Sequence, residues 1–198
     1  MRKYEYSDEL VNLVKEYLVI ADRRYSFYKE LGIFELSLRV HGAISKIKYI
    51  IDVHEEEIIV YGICPEHVDN RDTDMMSRMA EFICRVNYGL KDGCFEFDFE
   101  DGEVCYKSYI NCDNFYPSLQ VIADSMQCVT TMFERYAYGI IDIIYNDCLA
   151  EDAISNCEKT VEKIYCRIRE EESDKDSEVK ELLDHLDLCL GFNEGSNE

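Results

Sequence analysis

An alternation of aromatic and acidic residues constrains the fold of this chain most strongly. Phe95, Phe97 and Phe99 alternate with glutamate and aspartate, which is the period of a β-strand with one buried and one solvent-exposed face. Asp101 and Gly102 follow, and both residue types tolerate the positive φ that a two-residue type I′ hairpin requires. The sequence therefore predicts a β-hairpin that turns at these two residues.

The predicted turn fixes which residues face each other across the hairpin. From the turn outward, the predicted pairs are Glu100 with Glu103, Phe99 with Val104, Asp98 with Cys105, Phe97 with Tyr106 and Glu96 with Lys107. The last pair is an ion pair on the solvent face, worth a few tenths of a kcal/mol. A slip of one residue would expose three phenylalanine rings to water, so the pattern excludes it. The side chains predicted to be buried are Phe95, Phe97, Phe99, Val104 and Tyr106.

A helix leads into the hairpin. Apolar residues recur at helical spacing over 79–86, the next three residues are suited to a left-handed helix stop, and Gly93 marks the entry to the hairpin. A helix followed within a few residues by an acidic, aromatic hairpin with an Asp-Gly corner resembles the YbjN family of small bacterial proteins. The matching residues are Asn87, Tyr88, Gly89, Gly93, Phe95, Phe97, Phe99, Gly102, Val104 and Tyr106.

The resemblance covers residues 7–146 and is strongest over 79–145. It implies an α+β fold that looks like the class I type III secretion chaperones, with the element order α–β–β–β–α–β–β–α. It also implies a role in regulation and stress tolerance rather than catalysis, and no active site is established for that family. Residues 148–198 have no counterpart in it.

The rest of the chain fits the same α+β class. Ser7 caps a first helix, and three strands with short connections follow it, which favours an antiparallel meander. Together with the hairpin they predict an antiparallel sheet of about five strands packed by helices. The apolar positions of the three strands are Phe34, Leu36, Leu38 and Val40, then Ile47, Tyr49, Ile51 and Val53, then the more continuously apolar residues 58–64.

A long helix is predicted from Ser118, with apolar residues at an unbroken spacing of three and four over 119–143. Two interpretations stay open and do not exclude each other. The helix covers the sheet, or its regular stripe also pairs with a second copy or with a partner helix. The residues assigned to partner binding on the second interpretation are Met126, Val129, Phe133, Tyr136 and Ile140.

The character of the sequence changes after residue 147, so we divide the chain there. Residues 1–147 are the predicted α+β domain, and residues 148–198 are an acidic helical extension with 6 basic and 15 acidic residues. A last helix is predicted between Ser177 and Gly191. The extension can fold back on the core, pair its helices with each other, or present an apolar stripe to a partner. Its first helical stripe consists of Ile154, Cys157, Val161, Ile164 and Ile168.

The net charge excludes two classes of partner. The chain has 21 basic and 42 acidic residues, for a net charge of −21. Nucleic-acid phosphates and anionic lipid surfaces repel such a molecule, so we expect neither nucleic acid nor a membrane as partner. A basic protein partner and simple solubility both account for the charge. The first residues lack the apolar core of a signal peptide, which predicts a cytoplasmic protein.

Ten cysteines raise a thiol or metal-binding hypothesis. No two of them stand at Cys-x-x-Cys spacing, and no nucleotide-binding or zinc-protease motif is present. Cys64 and His67 stand three residues apart, at the predicted end of a strand. The alternative function, a small thiol-based redox or metal-sensing protein, depends on that pair.

The favoured hypothesis is a non-catalytic protein-binding module, either chaperone-like or a regulatory adaptor. It binds a segment of a partner protein, or a second copy of itself, through apolar helix or sheet surface. No catalytic, cofactor-binding or metal-binding residue is assigned, and no cofactor is expected.

Overall fold

In a computed structural model of the chain, residues 5–159 are described and form an open six-stranded antiparallel sheet with four helices. The elements are α1 (Asp8–Ile20), β1 (Tyr25–Tyr28), β2 (Ile33–Arg39), β3 (Lys46–Val53), β4 (Glu57–Ile63), α2 (Thr73–Tyr88), β5 (Cys94–Phe97), β6 (Val104–Asn111), α3 (Leu119–Asn146) and α4 (150–159). The strands lie side by side in the order β1-β2-β3-β4-β6-β5. The predicted α+β class is confirmed.

The sheet has one strand more than the predicted five. The extra strand β1 is only four residues long, and basic and acidic residues flank it, so its alternation is too short to predict a strand. It pairs with β2 and sets Phe27 opposite Phe34, with ring centroids 4.5 Å apart. Gly32 closes the hairpin at φ 73°, and its N–H donates to the carbonyl of Tyr28 at 3.0 Å.

Strands β2 and β3 bury the side chains whose alternation predicted them, except that Leu38 is half-buried, and β4 buries every second residue of its apolar run. The buried hydroxyl of Tyr49 donates to the carbonyl of Met126 at 3.0 Å and lies 2.7 Å from Oγ1 of Thr130. This polar group is therefore satisfied inside the core. The buried positions of the three strands are Phe34, Leu36, Ile47, Tyr49, Ile51, Val53, Ile58 and Val60.

The hairpin forms, but its register differs by two residues from the predicted one. Phe97 pairs with Val104 and Phe95 pairs with Tyr106. The connection therefore spans residues 98–103, and the predicted two-residue turn is wrong. A shift of two residues leaves every side chain on the same face of the strand, so the alternation alone cannot distinguish the two registers.

Local hydrogen bonds select the longer connection. The side chain of Asp98 accepts from the backbone N–H of Glu100 at 2.7 Å, and the N–H of Gly102 donates to the carbonyl of Asp98 at 2.9 Å. Gly102 has a φ of 75°, which a glycine adopts without strain. The segment before α2 holds the loop from outside, because Val68 N–H donates to the Gly102 carbonyl and the Asn70 amide donates to the Glu100 carbonyl.

The longer loop moves Phe99 out of the strand. Phe99 is 63% exposed, so its predicted burial is wrong. Its ring centroid lies 5.0 Å from that of Phe97, which is half-buried. The other three residues predicted for this face are buried, namely Phe95, Val104 and Tyr106.

The predicted ion pair of the hairpin is present as a diagonal contact. Glu96 lies opposite Cys105 and Lys107 lies opposite Cys94, yet Nζ of Lys107 reaches Oε1 of Glu96 at 3.2 Å. Diagonal neighbours on one face of a sheet are within reach of long side chains. Cys94 and Cys105 share this outward face without being opposite each other.

Helix α2 ends without the predicted left-handed stop, because Gly89 has a φ of −98°. Asn87 has a different task. Its side-chain amide donates to the carbonyl of Phe95 at 2.8 Å and accepts from the N–H of Phe95 at 2.8 Å. Asn87 therefore satisfies backbone groups of the edge strand β5 as a neighbouring strand would.

The helices lie together on one face of the sheet. Helix α3 contacts β4 and β6, α2 contacts β5, and α1 packs on α3. Gly62 allows the close approach of α3, since a Cβ at that position would overlap Cγ1 of Val129 and lie 3.1 Å from Cε2 of Phe133. On the opposite face no helix of residues 5–159 covers the sheet.

The extension predicted to begin at residue 148 packs on the core over its described part. Ala150, Ala153 and Cys157 of α4 are buried, and Sγ of Cys157 lies 3.9 Å from the carbonyl of Tyr136 on α3. Residues 150–159 thus fold back, which is one of the three predicted arrangements. The predictions for Val161, Ile164, Ile168 and the helix between Ser177 and Gly191 lie outside the described residues.

Candidate partner-binding surface

The helix stripe assigned to partner binding lies inside the core. The rings of Phe133 and Phe95 pack edge to face, with their centroids 5.5 Å apart. The Tyr136 ring also packs edge to face on Phe95, with the centroids 5.9 Å apart. The stripe therefore packs on the sheet, and none of its side chains reaches a partner while the fold is intact. The five residues, each at most 6% exposed, are Met126, Val129, Phe133, Tyr136 and Ile140.

The apolar surface that stays uncovered by these helices is the other side of the sheet. We call it the open sheet face and define it by three rows of side chains that run across the strands. The rows are Tyr28, Ile33, Asp52, Ile59 and Tyr109; Ser26, Glu35, Ile50, Tyr61, Lys107 and Cys94; and Ser37, Lys48, Ile63, Cys105 and Glu96. Every one of these residues is half-buried or exposed.

The open sheet face combines aliphatic and aromatic side chains with charges that are paired within it. Lys48 lies 3.1 Å from Glu35, and Lys107 is paired with Glu96 as described above. At the row of Ile59, the imidazole Nε2 of His54 lies 3.2 Å from Oδ2 of Asp52. Desolvation raises the pKa of the Asp52 carboxyl, and the neighbouring His54 opposes that effect. Because these charges are paired with one another, the main feature at the centre of the open sheet face is its apolar area.

The sequence of β4 carries a signal for this surface. The strand β4 reads EIIVYGI, so Ile59, Tyr61 and Ile63 occupy positions where a strand with one solvent-exposed face has polar residues. A strand that is apolar on both faces is expected where both sides of a sheet become covered. The prediction described residues 58–64 only as a more continuously apolar strand, and the outward apolar residues were therefore missed.

One end of the open sheet face deepens into a groove of about 500 Å³. Its floor is formed by Ile50, Tyr61 and Ile63, and the loop between β5 and β6 forms its wall. Phe97 and Phe99 stand in that wall. The remaining side chains that line this groove are Glu96, Asp98, Glu103 and Cys105.

The pair on which the thiol hypothesis depends is poorly suited to chemistry. Cys64 is buried and His67 is exposed. Burial raises the pKa of the Cys64 thiol to about 11, so the reactive thiolate is scarce near neutral pH. Among residues 5–159, no group of three or more His, Cys, Asp or Glu side chains is arranged to hold a metal ion.

Alkylation rates test this hypothesis directly. Near neutral pH, iodoacetamide should modify Cys64 at least about a hundredfold more slowly than Cys84, which is exposed on α2. Peptide mass spectrometry of a labelling time course measures both rates in one sample. In urea the two rates should converge. Faster labelling of Cys64 than of Cys84 in the folded protein would revive the thiol hypothesis.

Within residues 5–159, none of the helices combines the length and the hydropathy of a membrane-spanning segment. The resemblance to the YbjN family and to secretion chaperones stays a prediction. A comparison of the chain with protein-family models, with curated proteins and with solved structures finds no significant match.

Proposed function

We propose that the chain is a non-catalytic protein-binding module and that its open sheet face contacts the partner. The observation that supports this proposal most is the burial pattern of β4. Its inward side chains Ile58 and Val60 are fully buried, whereas Ile59, Tyr61 and Ile63 point outward and keep part of their surface in water. Contiguous apolar area of this kind is typical of an interaction site.

Aromatic residues at the edge of the open sheet face support the same proposal. Tyr109 on β6 is 53% exposed, and Tyr28 on β1 is 47% exposed. Tyrosine is enriched at protein interfaces because its ring contributes apolar area while its hydroxyl keeps a hydrogen bond. The two tyrosines lie at opposite ends of one row, with Ile33 and Ile59 between them.

The family resemblance agrees with this proposal. The order strand, strand, strand, helix, strand, strand, helix from β2 to α3 is the order that a chaperone-like fold implies. Strand β1 and helix α4 are additional to that order. We propose a chaperone-like or regulatory adaptor role on this basis, with a segment of another protein or a second copy of the chain as the bound partner.

Site-specific photo-crosslinking tests the proposed surface. A photoreactive phenylalanine analogue is placed at Tyr109 on the open sheet face and, as a matched control, at Tyr138, which is 40% exposed on α3. Upon irradiation in the native cell, we expect several times more protein adduct from position 109 than from position 138. Mass spectrometry of the adduct distinguishes a second copy from another protein.

The result that would contradict the proposal is equally specific. Equal yields from the two positions, or adduct from position 138 alone, would move the partner to the helix side of the molecule. Adduct that contains only this chain would restrict the function to self-association.

A further inference from the structure

The groove at one end of the open sheet face has a rigid wall. Phe99 is held out into solvent by a loop whose backbone is fixed at three points: within the loop by Asp98, and from outside by Val68 and Asn70. Its ring also lies against Phe97 at 5.0 Å. An aromatic ring fixed in this way costs little conformational entropy when it contacts a ligand. The ring is thus prepared for a contact that residues 5–159 do not supply.

The charge of the groove is one-sided. Three carboxylates, those of Glu96, Asp98 and Glu103, line it, and within residues 5–159 no basic side chain lines it. Lys107 at its margin is paired with Glu96, which leaves the carboxylates of Asp98 and Glu103 as excess negative charge. A cleft with one sign of charge and apolar walls concentrates ligands of the opposite sign.

An aromatic ring of the groove already holds a cation. Nζ of Lys107 lies 5.7 Å from the centroid of the Tyr61 ring, within the range of a cation–π contact. Phe99, which is 63% exposed, also lines the groove beside the carboxylates, whereas the Phe97 side chain packs against the core. Arginine is the side chain that combines stacking on such rings with a bidentate bond to a carboxylate.

Charge also distinguishes the three possible occupants of the groove, which are residues 160–198 of the chain, a second copy, and a segment of another protein. Residues 160–198 of the chain hold 12 acidic and 5 basic residues, and the carboxylates of the groove repel such a segment. A second copy carries a net charge of −21 and is repelled as well. A basic segment of another protein is attracted by the charge and by the rings at once.

We propose that this groove binds a partner segment in which arginine or lysine alternates with apolar residues. The cations lie against Glu103, Asp98 and the Phe99 ring, and the apolar side chains lie on Ile50 and Ile63. This inference rests on the proposed function, because it names the chemistry of the partner. It goes further, since it excludes acidic and purely apolar segments.

Fluorescence anisotropy tests the groove with a defined probe. The probe is a short labelled peptide of alternating arginine and leucine, titrated with the full chain at physiological salt. We expect Phe99→Ala to weaken binding about tenfold and Glu103→Gln to weaken it about threefold. Phe99→Ala should unfold at the same urea concentration as the wild type, because the Phe99 ring is mostly exposed and its removal costs little stability.

Matched controls separate the groove from general attraction to an acidic protein. Phe115→Ala removes a ring that is 56% exposed at the other end of β6, and Glu16→Gln removes an exposed charge on α1. Both should bind the probe as the wild type does. Losses equal to those of the groove variants would overturn the inference, and so would equal affinity for a peptide with glutamate in place of arginine.

A photoreactive residue in place of Phe99 tests the other occupants. An adduct within one chain to residues 160–198, or an adduct between two copies, would assign the groove to that occupant and overturn the inference. Adduct from position 109 to another protein, together with groove variants that bind the probe normally, would retain the proposed function and reject only the basic partner.

Discussion

Replacing Phe133 with alanine is expected to lower the free energy of unfolding by about 3–5 kcal/mol. The ring is fully buried and packs edge to face on Phe95 at 5.5 Å. It also lies against Gly62 on β4. Alanine would therefore leave a cavity between α3 and the sheet, and the surrounding core residues keep these two layers from closing it. Urea denaturation followed by far-UV circular dichroism measures the change, since the chain has no tryptophan.

The control for this experiment is Tyr138→Ala on the same helix. Its ring is 40% exposed, and removal should cost about 1 kcal/mol or less. The comparison decides what the regular stripe of α3 is for. One outcome would contradict the burial of the stripe. In it, Phe133→Ala unfolds at the same urea concentration as the wild type, while the mass in solution falls from that of a dimer to that of a monomer. The stripe would then bind a second copy instead of packing on the sheet.

The apolar stripe of α3 shows which features a single sequence predicts and which it leaves open. Spacing predicted the helix, its amphipathic face and the residues on that face. The identity of the surface opposite it was left open, because a sheet and a partner helix both select the same period of apolar residues. Only the packing of Phe133 and Tyr136 on Phe95 shows that this chain provides its own cover.

The sequence predicts which hairpin residues share a face, but it does not predict the length of the loop that connects β5 and β6. Alternation fixed that Phe95 and Tyr106 share the buried side, and the structure agrees. The turn was decided by groups that lie far away in the sequence, since Val68 and Asn70 hold the loop from outside. Contacts of this kind have no local signature, and the exposure of Phe99 that follows from them was therefore missed.

The candidate surface was missed for a different reason. Alternation was predicted for β2 and β3 and a more continuously apolar run for residues 58–64, but the outward isoleucines on β3 and β4 were assigned no role. Their rows become visible only when the register brings Ile50 beside Tyr61 and Ile63 beside Cys105. The proposed site thus depends on lateral neighbours, which a sequence does not state.

Replacing Gly102 with alanine should destabilise the protein by about 2–4 kcal/mol and also close or distort the groove. Gly102 has a φ of 75°, which is strained for alanine. A Cβ there would also overlap the backbone carbonyl of Val68, and no change of rotamer relieves a clash with backbone. The loop must move, and Phe99 moves with it, so the arginine-leucine probe should bind less tightly even where the variant is fully folded.

Gly89→Ala is the matched control, because Gly89 has a φ of −98° and a Cβ there would meet only the carbonyl oxygen of Val86, at 4.0 Å. We expect this variant to be as stable as the wild type or more stable by up to about 1 kcal/mol, with unchanged probe binding. Urea denaturation and anisotropy on the same two samples make the comparison. Equal stability of the two glycine variants would show that residues 98–103 adopt another turn, and the groove built on that turn would have to be abandoned with it.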